Sequence, residues 1–192
     1  MSSASSDSPE SLVISPSALH LAPGVTLTDL QRYHVAIVLD LFAAKGTLSK
    51  LDDNFSEDAV YEDLFASANN REEVGGQLLH LTTICKSART HSHTVKSVKP
   101  TTTLVGHDRR VEADEIDVEI QHEFEFKLPL PKGGRTFGMN TTLCIFSSVA
   151  ERKIVRLQDR PMDHIPGNAL LSVLRKMNAV GVPKVVGLPD NE

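Results

Sequence analysis

The chain has 192 residues, 40% of them hydrophobic and 23% charged, with a formal net charge of −5 at pH 7. That length suits one domain with its own core and crowds two. No basic stretch exceeds Arg109-Arg110 or Arg152-Lys153, which speaks against nucleic acid and anionic membrane surfaces as partners.

No apolar run reaches bilayer length, and the Ser- and Pro-rich N-terminus lacks the basic start and apolar centre of a signal peptide. A cytoplasmic protein without a membrane span is expected. Cys85 and Cys144 lie far apart without metal-type spacing, and reduced buried thiols fit that compartment better than a disulfide.

Residues 1–24 read as a flexible arm by composition, although Leu12, Val13, Ile14, Leu19 and Leu21 give its second half something to dock with. A folded domain is expected over 25–182 and an irregular tail over 183–192. The first helix is predicted from Thr28 to Lys45. Thr28 and Gln31 form a capping box, and Leu30, Tyr33, His34, Ile37, Val38, Leu41 and Phe42 form one stripe. Gly46 is placed to end it in a left-handed turn. A short amphipathic turn follows, with Leu48, Leu51 and Phe55 inward, and residues 59–65 read as a short strand.

Asn70 caps a second predicted helix, with Glu73 in the reciprocal position and Val74, Leu78 and Leu81 in its buried stripe. Residues 89–98 read as a strand ended by Pro100, and Gly106 marks a turn. Residues 116–127, IDVEIQHEFEFK, alternate strictly. Ile116, Val118, Ile120, His122, Phe124 and Phe126 share one face, and Asp117, Glu119, Gln121, Glu123 and Glu125 share the other. This is a long antiparallel strand with one buried and one wet side. Residues 136–149 are apolar on both faces, as in a central strand. A last strand ends at Pro161, and a third helix is expected around Leu170, Leu174 and Met177.

The segment LDDNFSEDAVYEDLFASANNREEVGGQL at 51–78 resembles the SnoaL-like group of the nuclear transport factor 2-like (NTF2-like) superfamily, and RLQDRPMD at 156–163 resembles the last strand of its fungal members. Pro161 stands where those members carry an aromatic. The resemblance spans 28–181. It implies an α+β, cone-shaped fold, a curved antiparallel sheet packed against three to four helices around a pocket for a small apolar molecule. It also implies a homodimer through the sheet, in which Lys96 and Arg156 of one subunit answer the acidic row of the other. The superfamily includes isomerases, dehydratases and cyclases, which points to general acid/base catalysis without a cofactor. A non-catalytic ligand-binding or protein-interaction module of the same fold is the alternative.

Three groups of residues carry chemistry. His91 and His93 are two apart on a strand and share a face if it is regular. With His122 on the next strand, three imidazoles are expected to converge. A histidine pair on neighbouring strands resembles the acid/base pair of the superfamily's dehydratases. The other reading puts His91 and His93 on the wet face and His122 in the core. No further ligand motif supports zinc, and no metal is expected. Tyr61 and Asp63 share a face near the rim where relatives bind or polarise a ligand oxygen; alternatively Asp58, Glu62 and Asp63 are a solvated edge. Asp159 shares a predicted apolar face with Val155 and Leu157 and needs a partner there. Tyr33 and His34 reach the pocket floor or simply pack. These readings assign His93, His122 and Asp63 to catalysis, and Tyr61, His91, Tyr33, His34 and Asp159 to substrate binding. No Gly-rich phosphate loop, nucleophile elbow or reactive-cysteine signature is present.

Overall fold

A computed structural model describes residues 12–63, 67–106, 108–129 and 134–162. The expected third helix and the tail lie outside the described residues. A single 3-10 turn at Pro16–Ala18 precedes α1 (Asp29–Phe42) and α2 (Leu48–Asn54). Then come β1 (Phe55–Glu62), β2 (Ser67–Ala68), α3 (Arg71–Leu78), α4 (His80–Ile84), β3 (Cys85–Val105), β4 (Arg109–Phe126), β5 (Thr136–Ser148) and β6 (Lys153–Pro161).

Helix α1 begins where its capping box dictates. The Thr28 hydroxyl accepts from the Gln31 amide at 3.3 Å, and the Gln31 side chain accepts from the Thr28 amide at 2.8 Å. The helix stops at Phe42, short of the predicted Lys45. Ala44, with φ 54°, takes the left-handed conformation expected of Gly46. Gly46 is small for another reason. A Cβ there would lie 2.7 Å from Leu79 Cδ2 and 2.8 Å from Leu41 Cδ2, so the α1–α2 connection runs hard against both leucines. From His34 to Phe42 every α1 residue is buried, because the sheet covers one side and residues 12–27 with α2 cover the other. Asp40 is consequently a buried acid, and it is fully answered. Lys50 Nζ donates to it at 2.9 Å, and the Val13 amide donates at 2.7 Å.

The six strands are ordered β2-β1-β6-β5-β4-β3. The β1–β6 pair is parallel and the other pairs are antiparallel. The main core lies between α1 and the inner face, where Ile37, Leu39 and Leu41 belong to one cluster with Val118, Leu143, Ile145 and Leu157. A smaller cluster occupies the other face and includes Val60, Val105, Val111, Cys144, Phe146 and Val155. Strand β5 is thus apolar on both sides, as its sequence predicts. The tip of the β3–β4 hairpin folds back over the outer cluster: the Gly106 amide donates to the Asp58 carbonyl at 2.9 Å, although β3 and β1 lie on opposite sides of the sheet. Arg109 fixes this closure by pairing with Asp58 and Glu151.

Three expectations change. Strand β3 does not end before Pro100 but runs through it to Val105, because β3 is an edge strand and a missing N–H there costs no ladder bond. The acidic row of β4 needs no second subunit to answer it. Lys96 pairs with Glu119 at 3.0 Å, Lys99 with Glu115 at 3.4 Å and Lys86 with Glu125 at 2.8 Å, all from β3 or its start, while Arg156 pairs with Glu62. Finally, Val155 does not share a face with Asp159. Phe146 pairs with Arg156 and Ser147 with Ile154, so Val155 is the extra residue of a bulge and turns to the outer cluster. Both cysteines are free and buried. Among the described residues no helix is long and apolar enough to cross a membrane.

Candidate functional site

Strand alternation and register lay a row of polar groups diagonally across the otherwise apolar inner face. On β1, Tyr61 points inward and is 4% exposed, and it pairs across with Leu157 of β6. Two residues along β6, on the same face, is Asp159. Its carboxylate accepts a hydrogen bond from the hydroxyl of Thr141, a fully buried residue of β5. Thr141 pairs with Ile120 of β4, which puts His122 on the next diagonal. His122 Nδ1 shares a hydrogen bond of 3.0 Å with the Thr90 hydroxyl on β3. Neighbours on such diagonals are about 7–8 Å apart between backbones, within reach of long side chains. Five adjacent strands therefore each contribute one polar group among Leu143, Leu157, Ile120 and Phe124.

The electrostatics divide this row in two. At the β1–β6 end, Tyr61 Oη donates to Asp63 Oδ2 at 3.0 Å. Burial, together with the charges of Asp63 and Asp159, holds the phenol well above its ordinary pKa, so it stays a protonated donor. Removal from water raises the Asp159 pKa to about 6; the Thr141 hydrogen bond opposes that rise and the nearby charge of Asp63 adds to it. A carboxylate at that value is ionised at neutral pH and still basic enough to hold a proton. At the β4–β3 end, burial depresses His122 to about 4, with the Phe42 carbonyl opposing and His91 adding to the effect. The ring is packed 4.4 Å from Phe124 and edge-on to Phe42 at 6.4 Å, centroid to centroid. Its Nε2 is buried without a completed hydrogen bond, since the Phe42 carbonyl lies near but out of line. His122 is thus a neutral imidazole over the physiological range.

The expected trio of imidazoles does not assemble. Thr90 pairs with His122 and Ser92 with Gln121, so His91 is the extra residue of a bulge. The bulge puts His91 and His93 on different faces. His91 is exposed beside Glu123, Nε2 to Oε1 3.8 Å, and lines an outer groove of about 410 Å³ with Gln121, Gly138 and Asn140. His93 is turned to the N-terminal segment, where its Nε2 accepts from the His20 amide at 3.1 Å. His34 is buried at the other end of the sheet with Nδ1 2.8 Å from Ser147 Oγ, and burial depresses it to about 4. Ser147 lies about 20 Å along β5 from Thr141, so His34 ties α1 to the sheet away from the polar row. Tyr33, one residue earlier on the helix, is 42% exposed and does not reach the interior.

Of the residues expected at the site, the structure groups Tyr61, Asp63 and Asp159, with His122 farther along the same face. Thr141 and Thr90 escaped the sequence reading. Thr141 carries a signal that could have found it, since its parity with Leu143 and Ile145 puts one hydroxyl on a greasy face. A second groove of about 450 Å³ lies between α2 and α3, where Arg71 pairs with Asp52 at 3.1 Å. One set of donors, Glu115, Asp117 and Cys144, is close enough to hold a metal ion. It suits one poorly, because Lys99 approaches both carboxylates and burial pushes the Cys144 thiol up to about 12.

No protein-family model and no curated protein sequence matches the chain. Solved structures do. An NTF2-like protein from Anabaena variabilis superposes with a TM-score of 0.52 and 11% identity, covering 73% of this chain and 97% of its own. The Kfla4162 protein from Kribbella flavida gives 0.52 and 10%, covering 73% and 93%. A putative SnoaL-like polyketide cyclase from Jannaschia gives 0.45 and 11%, covering 79% and 95%. The fold of this chain, with its curved six-stranded sheet and helices on the inner face, is NTF2-like.

Proposed function

We propose that this chain is a small-molecule pocket protein that performs cofactor-independent general acid/base catalysis on an apolar substrate, as an isomerase, dehydratase or cyclase does. The observation that carries the reading is Asp159. It is a carboxyl group raised to about 6 beside a phenol held as a donor, on a face otherwise built of leucine, isoleucine and phenylalanine.

Asp159 takes a proton from the substrate and returns it. Thr141 fixes the carboxylate by its hydrogen bond and keeps it from rising further. Tyr61, oriented by Asp63, donates to the substrate oxygen on which charge develops. Neutral His122 is a polar wall of the pocket and not its proton carrier. This assigns the proton step to Asp159 in place of the His93 and His122 pair expected from sequence.

A generic carbon-acid probe tests it without knowledge of the natural substrate. Proton abstraction from 5-nitrobenzisoxazole should follow the ionisation of one group near pH 6. Asp159→Asn should slow it by roughly 100-fold or more. An unchanged rate in Asp159→Asn removes the proposed base. Native mass spectrometry of the purified protein then identifies a co-purifying molecule. A bound apolar molecule that the wild-type protein leaves chemically unaltered favours the non-catalytic binding role.

A further inference from the structure

We infer that residues 12–24 form a strap on the edge of the sheet, latched by a His20–His93 pair that opens when His93 takes up a proton. This stands on contacts separate from the polar row and goes beyond the proposed catalysis.

The strap pairs with the one long exposed edge of the sheet. Leu21 bridges Val95 in parallel; the Val95 amide donates to the His20 carbonyl at 2.9 Å, and the Ala22 amide donates to the Val95 carbonyl at 2.9 Å. Leu19 is buried in the main core, and Leu12, Ile14 and Leu21 pack against it. Two contacts to α1 hold the remainder, Val13 to Asp40 and Pro16 to Arg32.

Between the apolar contacts sits a polar joint with only one workable protonation state. The His20 amide is a donor, and it points at His93 Nε2. That nitrogen accepts only while it carries no proton, so the docked strap requires neutral His93 with its hydrogen on Nδ1. Protonation sets a donor against a donor. It also puts a cation 5.0 Å from the His20 ring, centroid to centroid. Both burial and the charge of His20 lower the affinity of His93 for a proton while the strap is docked.

No acid compensates. On β4, Ile120 faces His93; Glu119 is answered by Lys96 and Glu123 sits by His91, both on the outer face. On α1, Arg32 and Asp40 engage the strap elsewhere, at Pro16 and Val13. A depressed histidine pKa makes docking fully favourable above the unperturbed value near 6.5 and weakens it as pH falls below. Opening frees the Val95 edge and uncovers Leu19 and Leu21.

Amide hydrogen exchange of the full chain, corrected for intrinsic rates, tests this between about pH 7.5 and about pH 5. Each unit of pKa difference is tenfold in the docking equilibrium. Protection of the Ala22 and Val95 amides should fall by about tenfold toward pH 5, with the β4 and β5 amides of Val118 and Ile145 unchanged. His93→Gln keeps an acceptor oxygen without a titrating group and should abolish the fall. Should that variant misfold, the wild-type profile decides alone, and His20→Ala, which removes the second ring and keeps the amide bond, should reduce the fall. Constant Ala22 protection in wild type, a fall shared equally with Val118, or an identical fall in His93→Gln would each overturn the latch.

Discussion

Thr141→Val isolates the group that sets the proton affinity of Asp159. Valine keeps the shape of threonine and removes the one hydroxyl that the Asp159 carboxylate accepts from on β5. A hydrogen bond to an ionised group is worth about 1.5–3 kcal/mol, against about 0.5–1.5 kcal/mol between neutral partners. At about 1.36 kcal/mol per pKa unit, losing it from the charged form moves Asp159 from about 6 to roughly 7 or 8.

The sign for stability follows from linkage. An acid raised on folding favours the folded state below its unfolded value of 3.8, and this advantage is lost as pH rises through the folded value. The substitution should therefore cost about 1.5–3 kcal/mol near pH 8 and only about 0.5–1.5 kcal/mol near pH 3.5, where the carboxyl is neutral in both states. Urea unfolding at the two pH values measures the difference, and carbon-detected titration of the Asp159 carboxyl measures the pKa itself. An equal cost at both pH values, or a carboxyl that titrates no higher in the variant, refutes the assignment of Thr141 as the partner of a half-buried acid.

Other contacts give equally direct outcomes. Lys50→Met leaves Asp40 buried with one partner fewer and should cost about 3–5 kcal/mol, read as a lower urea midpoint. Replacing both residues by apolar ones should recover most of that loss. Gly46→Ala forces its methyl onto Leu79 and Leu41 and should cost about 1–3 kcal/mol; a melting temperature equal to wild type would show that the two leucines give way freely. Because burial depresses both His34 and His122 to about 4, native stability should hold above about pH 6.5 and decline between there and pH 4 as the unfolded chain binds those protons first. Loss of near-ultraviolet dichroism across that interval reads the decline, and a flat profile would mean that the rings titrate near their free value.

Local features of the fold were legible wherever a physical signal is local. The capping box of α1 needs only Thr28 and Gln31, three residues apart, and forms as read. The Asn70 cap of α3 accepts from the Glu73 amide, although the Glu73 carboxylate reaches Asn69 and not Asn70 itself. Alternation from Ile116 to Phe124 gave the correct buried face of β4 because a strand repeats every two residues whatever it packs against. Tyr61 and Asp63 were paired on the same ground, and the structure joins them by a hydrogen bond.

What tertiary structure alone decided was parity across bulges and the partner of each polar group. One extra residue at His91 reverses the face of everything beyond it, and no local residue preference announces where a long edge strand will take up its curvature. The same device at Val155 sends an apolar side chain to the outer face and leaves Asp159 on the inner one. Pro100 reads as a strand end until the sheet order makes β3 an edge. The value of about 6 at Asp159 arises from Asp63 on the loop after β1 and Thr141 on β5, which meet only because β6 lies between β1 and β5. Periodicity is a property of neighbours along the chain, whereas proton affinity and strand register are properties of neighbours in space.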